Sequence, residues 1–292
     1  MPDVFTIDVE DWFHILETKG TPDLPAWDAL PSRVEKNLRA LLELLDACDV
    51  KATLFTLGWV AQHFPRLMRE AADRGHEVAS HGYAHQVVHG LSAAQFRDDI
   101  RRAKAALEDA TGRPVRGYRA PGFSITRETP WAFDEIVAAG YSFDSSVFPA
   151  AHGHGGMPDV SRHPWVVRSA SGPLVEFPIS VAATPLGPQC FFGGGYLRLF
   201  PLGLVMRMAE QVRKDGRSVI WYIHPREIDP DHPRLHMPLR RRFRSYVNLR
   251  GTPAKLKAIL ASGNFATMGE LADRISTAAP DHARLRSQAE SA

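Results

Sequence analysis

The 292-residue sequence predicts an α/β barrel of about seven parallel strands. Three observations carry the prediction. Short apolar runs alternate with amphipathic stretches of ten or more residues, the pattern of parallel βαβ units. Each unit takes roughly 30 residues, so about seven fill the chain, and one barrel commonly needs about 250 residues. No linker-like stretch divides the chain, although its length alone would allow two domains.

The elements follow in order. Residues 4–9 read as a buried strand that runs straight into acids. Ser32 and Glu35 form a capping box before a helix with Leu38, Leu41, Leu42 and Leu45 on one face. A strand at 52–57 precedes a helix opened by Pro65 and closed by Gly75. The third strand, 76–80, leads into His81. Ser92 and Gln95 cap a helix whose apolar face is Phe96, Ile100, Ala103 and Leu107. Strands at 117–120 and 141–144 flank a helix opened by Pro130 and ended by Gly140. A helix from Pro201 to about Asp215 leads to the strand at 218–223. A helix from Thr252, a short strand at 264–267 and a helix at 269–276 complete the pattern. Residues 149–195 and 225–251 break the rhythm and read as loop insertions, and 277–292 reads as a flexible tail.

Composition narrows the function. The net charge of +2 gives no whole-protein argument for nucleic acid or an anionic membrane. Two cysteines, Cys48 and Cys190, exclude a disulfide scaffold and a cysteine-only metal site. An apolar share of 44% excludes wholesale disorder. Thirteen histidines are more than such a protein needs. The N-terminus lacks a basic region and a long apolar run, and no stretch reaches the roughly 20 apolar residues of a membrane span. The expected location is therefore cytoplasmic, with the inner face of the membrane left open.

Parallel α/β folds gather function at the carboxyl ends of their strands. The polar residues there are Asp8, Glu10 and Asp11; His81 and His85; Arg119; Asp144; and His224. His81 and His85, read as i and i+4 on one helical turn, can reach one ion, against the plain alternative of two surface histidines. Two histidines and a carboxylate make a common catalytic zinc set. Glu10 is the first choice for the third ligand, with Asp11 its rival and Asp8 a further option. Asp8 and Glu10, two apart on a strand, face one side, where a cation relieves their repulsion and frees one carboxylate to take a proton. Taken alone, this stretch reads rather as a solvated acidic turn. Arg119 is placed to pair with Asp8 and orient it. His224 can act as an acid with Asp144 as its carboxylate partner, or be a structural histidine.

The stretches TIDVED, SHGYAH, YRAPGF, FDSSVFP and YIHP resemble, in order and spacing, the five motifs of polysaccharide deacetylases, the NodB-homology or carbohydrate esterase 4 group. The GGGYLRLFP segment at 193–201 resembles the branch associated with exopolysaccharide and exosortase gene clusters. The resemblance spans about residues 4–268. It implies a distorted (β/α) barrel, a single catalytic domain over 1–276, and metal-dependent removal of N-acetyl groups from amino sugars. It implies Asp8 as base, Glu10, His81 and His85 as ligands of a divalent metal such as zinc, Arg119 steering the base, Asp144 tuning the last histidine, and His224 as acid. Three departures stand out. Val9 separates Asp8 from Glu10, so Glu10 and Asp11 both stay open as the ligand. Gly82 replaces the Ser or Thr that usually follows the first metal histidine, and the usual Trp of the fourth motif is absent.

Pro121, Tyr83 and Tyr196 are expected to touch substrate, with Trp12 and Phe123 as further aromatic candidates near the rim. Residues 232–269 hold no Asp or Glu but eight Lys and Arg, between Arg234 and Lys257. This segment would suit an acidic glycan, a lipid-linked pyrophosphate intermediate or a membrane surface, or would be a solvated face or an interface. No nucleic-acid partner is expected, and homo-oligomerisation is left open. Two rival functions stay alongside the glycan deacetylase: a metal-dependent amidohydrolase on a small non-sugar amide, and a non-catalytic carbohydrate-binding scaffold.

Overall fold

The computed structural model describes residues 1–16, 18 and 20–278. β1 (Val4–Val9) is buried along its whole length, as an apolar run covered on both faces should be. Its side chains alternate. Phe5, Ile7 and Val9 join the cluster beneath the helices, and Val4 joins a second cluster inside the curled sheet. Thr6 and Asp8 share the inner side with Val4 through the same two-residue period. That alternation carries a carboxylate into the barrel interior.

Next come β2 (Thr53–Thr56), β3 (Glu77–Ser80), β4 (Gly117–Tyr118), β5 (Phe143–Asp144), β6 (Trp165–Ser169), β7 (Gly172–Glu176) and β8 (Ile220–Ile223). They form one sheet in the order β6-β7-β5-β4-β3-β2-β1-β8. Seven strands run parallel, and only the edge strand β6 is antiparallel, to β7. The predicted strand number is borne out, in a curled sheet that forms a half-barrel. The registers Asp8↔Phe55 and Ile7↔Ile223 set the ends of β1, β2 and β8 beside one another.

Helices close the outer face. α1 (Val34–Ala47) buries Leu38, Leu41, Leu42 and Leu45 as its spacing predicts. Each leucine so buried contributes roughly 1.5–3 kcal/mol. α2 (Gly58–His63), α3 (Pro65–Asp73), α4 (Ala93–Thr111), α5 (Trp131–Ala138), α6 (Gly194–Leu199), α7 (Leu202–Lys214), α8 (Leu239–Tyr246), α9 (Thr252–Leu260) and α10 (Met268–Ala278) complete the set. The Ser92 and Gln95 capping box forms at α4.

Four local expectations are corrected. The N-cap position of α1 is Arg33, with no side-chain cap of its own. Asp11 reaches in from the end of β1 and accepts from the Arg33 and Val34 amides and from Ser32 Oγ, displacing the Ser32–Glu35 box. Residues 81–85 are not a helical turn, because Gly82 and His85 both have positive φ, +75° and +51°. The 225–251 insertion, expected as loop, contains α8, where four arginines on a Leu-Arg frame favour helix although only Tyr246 is buried. At 264–267 the structure forms only a bridge between Phe265 and Asp3. Most of the tail at 277–292 lies outside the described residues.

Candidate active site

The ends of β1, β3 and β8 meet at a cavity of about 300 Å³ lined by Asp8, Glu10, His14, His81, His85 and His224, among others. The site grows from β1. Asp8 is nearly inaccessible, and its Oδ1 accepts from Arg119 Nη1 at 2.6 Å. Arg119 is fully buried. It also donates to Thr6 Oγ1 and to the Ser145 carbonyl and hydroxyl, and stacks 3.9 Å above the Phe55 ring. With its donors spent on fixed partners, the guanidinium sets the plane of the Asp8 carboxylate.

Glu10 sits between two imidazoles. Its Oε1 lies 2.9 Å from His224 Nε2, and its Oε2 lies 3.1 Å from His85 Nε2. Burial raises the proton affinity of Glu10, but His85, His224 and Arg226 outweigh it and hold the carboxyl far below its ordinary range. Asp11, its rival as ligand, spends Oδ2 on the start of α1 and Oδ1 on the Trp12 amide. Asp11→Ala should therefore lower stability by about 1–2 kcal/mol, which thermal unfolding of the variant checks.

His81 donates from Nδ1 to the Arg119 carbonyl at 2.8 Å, which leaves Nε2 as the lone-pair nitrogen. Burial lowers the pKa of His81, and lowers that of His85 to about 4, so both stay neutral. The loop between them is held from outside. Asp99 of α4 accepts from the Tyr83 and Ala84 amides at 2.8 and 3.0 Å. A Cβ at position 82 would lie 2.8 Å from that carboxylate, on a backbone already at positive φ. Gly82 and Asp99 thus replace the hydroxyl that the resemblance leads one to expect.

Among the described residues no three His, Cys, Asp or Glu side chains stand together as a ready metal site; Glu10 is drawn toward His224 instead. The donor set nevertheless fits a divalent ion. Glu10 Oε2 is a buried oxygen with no hydrogen-bond partner, and beside it are two histidines whose burial keeps lone pairs available.

His224 follows β8. Its Nδ1 meets Glu227 Oε1 at 2.5 Å, and its Nε2 lies 3.9 Å from Asp8 Oδ2. Burial opposes the imidazolium, but Glu10 and the bond to Glu227 push its pKa up to about 9. Glu227 in turn accepts from Arg198 Nε at 2.7 Å, and Arg198 is anchored on the Val247 and Arg244 carbonyls. Burial raises Glu227, yet Arg198 and His224 prevail and bring it down to about 2.

The expected partnership of Asp144 with His224 is corrected. The carboxylates at His224 are Glu227, Glu10 and Asp8. Asp144 instead accepts from Ser146 Oγ at 2.6 Å and lies against Glu176, whose pKa burial and the Asp144 charge raise strongly. The reason is topological: β4 and β5 lie on the far side of β1 from β8. Glu227 was missed because it falls inside the insertion. The available signal was Pro225 after His224, which opens a 3₁₀ turn that stacks residue i+3 over residue i.

Tyr83 does not line the cavity. Its hydroxyl donates to Gln62 and accepts from Arg102, among the helices. Gly122 and Phe123 line it in place of Pro121, and Tyr196 lines it as well. Trp12 is buried against Pro31. His14 also lines the cavity. Its Nδ1 accepts from the Asp11 amide, and its Nε2 is buried without a partner at the cavity wall.

The sequence pattern of the polysaccharide deacetylase family matches residues 25–142, and that of a domain of unknown function, DUF3473, matches residues 145–273. The chain thus carries a segment of the polysaccharide deacetylase family. The deacetylase match contains His81, His85 and Arg119, whereas Asp8 and Glu10 precede it and His224 and Glu227 fall in the second segment. The chain is 29% identical over 113 residues to the peptidoglycan deacetylase of Helicobacter pylori, which is 39% of this chain and 38% of that protein. It spans about a third of the length of the curated relatives it matches. A structure described as a polysaccharide deacetylase from Mycobacterium smegmatis is similar with a TM-score of 0.63 at 23% identity, covering 94% of this chain and 89% of that one. The structure of Puue allantoinase is similar with a TM-score of 0.62 at 14% identity, covering 95% and 90%. At these identities the structural likeness bears on the fold alone.

Proposed function

We propose that this chain acts as a deacetylase and hydrolyses the N-acetyl group of an amino sugar in a glycan, with a divalent ion, zinc by its donor set, held by Glu10, His81 and His85. One observation carries the reading. A carboxylate steered by a buried arginine and a histidine steered by a buried glutamate approach to 3.9 Å in one cavity, beside those three donors. Because both matched segments contribute to that cavity, residues 1–276 act as one catalytic unit. The ion supplies a Lewis acid for the acetamide carbonyl. Asp8 takes the proton of the attacking water at its free Oδ2. His224 gives the Nε2 proton to the departing amine, and Glu227 keeps the ring turned and charged. A non-catalytic scaffold needs neither proton-transfer group.

The GGGYLRLFP segment supports placing the glycan among exopolysaccharides. Its arginine, Arg198, holds Glu227 and hence the acid. Tyr196 and Phe123 are the aromatic side chains proposed to contact the sugar, since both line the cavity.

The test is acetate release from N-acetylated oligosaccharides set beside small linear and cyclic amides. Release from the sugars supports the reading. Hydrolysis of small amides alone replaces it with the amidohydrolase reading. A further check concerns Glu227→Gln. His224 must be protonated to act as acid, so activity falls as pH rises through its pKa. Removing the Glu227 charge lowers that pKa, so the alkaline limb of kcat/KM moves to lower pH and kcat falls about 10–100-fold. An unmoved limb would deny Glu227 its role.

A further inference from the structure

The charges around the cavity do not cancel. The carboxylates that line it are Asp8, Glu10 and Glu227. Arg119 answers Asp8, Arg198 answers Glu227, and His85 and His224 flank Glu10. Arg226 and Arg244 remain. Arg226 is nine-tenths buried, touches Glu10 only at 4.0 Å, and has a buried Nε without a hydrogen-bond partner. Arg244, on α8, is exposed at the rim, and no carboxylate among the described residues pairs with it. Arg241, beside it, donates to the Leu16 carbonyl.

The rim position of Arg244 is built. A Cβ at Gly195 would lie 2.6 Å from the Arg244 carbonyl oxygen and 3.1 Å from its Cγ, so only glycine lets α6 and α8 come this close. The same approach lets Arg198 bond the Arg244 carbonyl, which ties the rim arginine to the residue that holds Glu227. A divalent ion at Glu10 would make the cavity more positive still. A neutral N-acetylated sugar has no use for a cation at the mouth, whereas a sugar bearing a carboxylate or phosphate is both attracted and oriented by it.

We propose that the preferred substrate is anionic, with a carboxylate or phosphate on or next to the N-acetylated residue, recognised by Arg244 at the rim and Arg226 further in. This rests on the deacetylase reading. It also gives the 145–273 segment a purpose, namely to supply the wall that reads substrate charge.

The experiment compares acetate release from three substrates: a neutral N-acetylglucosamine oligomer, an oligomer alternating N-acetylglucosamine with a uronic acid, and N-acetylglucosamine 1-phosphate. The expected kcat/KM favours at least one acidic substrate by about tenfold, and the arm that responds tells carboxylate from phosphate. Arg244→Glu should lower the acidic-to-neutral ratio about 100-fold, chiefly through KM, while Arg244→Lys keeps most of it. No acetate from any substrate overturns the deacetylase reading and this proposal with it. Acetate without preference, or a ratio unmoved in Arg244→Glu, overturns this proposal alone. Binding to phosphatidylglycerol vesicles that Arg244→Glu removes, with the ratio unmoved, assigns the arginine to a membrane surface and equally overturns it.

Discussion

Asp8→Asn should release acetate about 10²–10⁴-fold more slowly than the parent enzyme while keeping its metal. The amide preserves the shape of the carboxylate and its contact with Arg119 but cannot take a proton at pH 7. The position suits a base. Oδ1 is committed to Arg119 at 2.6 Å, and Oδ2 faces His224 across 3.9 Å. The substitution also leaves the fully buried Arg119 without its counter-charge. A loss of about 3–5 kcal/mol in stability is therefore expected, partly offset by the Thr6 and Ser145 oxygens that Arg119 retains. Thermal unfolding separates the two effects, because the rate is to be compared below the melting point of the variant. A folded, metal-loaded Asp8→Asn with parental kcat would remove Asp8 as base.

Glu10→Ala and His81→Ala should each abolish tight metal binding, and activity should fall about 10³-fold or more, the several kcal/mol of a Lewis acid. The two variants differ in an instructive way. His81 lies under the Arg119 carbonyl, so its loss disturbs the loop after β3. Glu10 is the carboxylate that flanks both His85 and His224, so its loss also lowers the proton affinity of His224. Residual activity in Glu10→Ala should therefore lose its alkaline limb earlier than in His81→Ala. Metal analysis after dialysis, with the pH profile of whatever activity survives, reads both. Retention of one equivalent of tightly bound metal by Glu10→Ala would mean that another carboxylate holds it.

How far the sequence reaches can be followed along β1. The two-residue period of a buried strand puts Asp8 on the inner face of β1, and that pattern is legible in the sequence. It does not tell Glu10 from Asp11, since the strand ends at Val9 and the chain then turns. What separates them is a tertiary contact, the capture of Asp11 by the N-terminus of α1. The same limit explains Asp144. Motif order suggested a partner for His224, but sheet order decides which carboxylates reach β8, and strands that follow one another in the motif list lie on opposite sides of β1. The spacing of His81 and His85 marks the pair, but two left-handed residues, Gly82 and His85, together with Asp99 shape the loop between them, not a helical turn. Glu227 stayed hidden because it lies in the 225–251 insertion, which is shaped by what it packs on, and the role of Arg198 stayed hidden with it, since Arg198 acts through its bond to Glu227.

The most direct test of the account is acetate release from an N-acetylated oligosaccharide by the chelated and the reconstituted protein. The account predicts release that a chelator abolishes, that one equivalent of zinc restores, and that zinc fails to restore in Asp8→Asn. Release that persists in the fully chelated protein, or full restoration in Asp8→Asn, would contradict it.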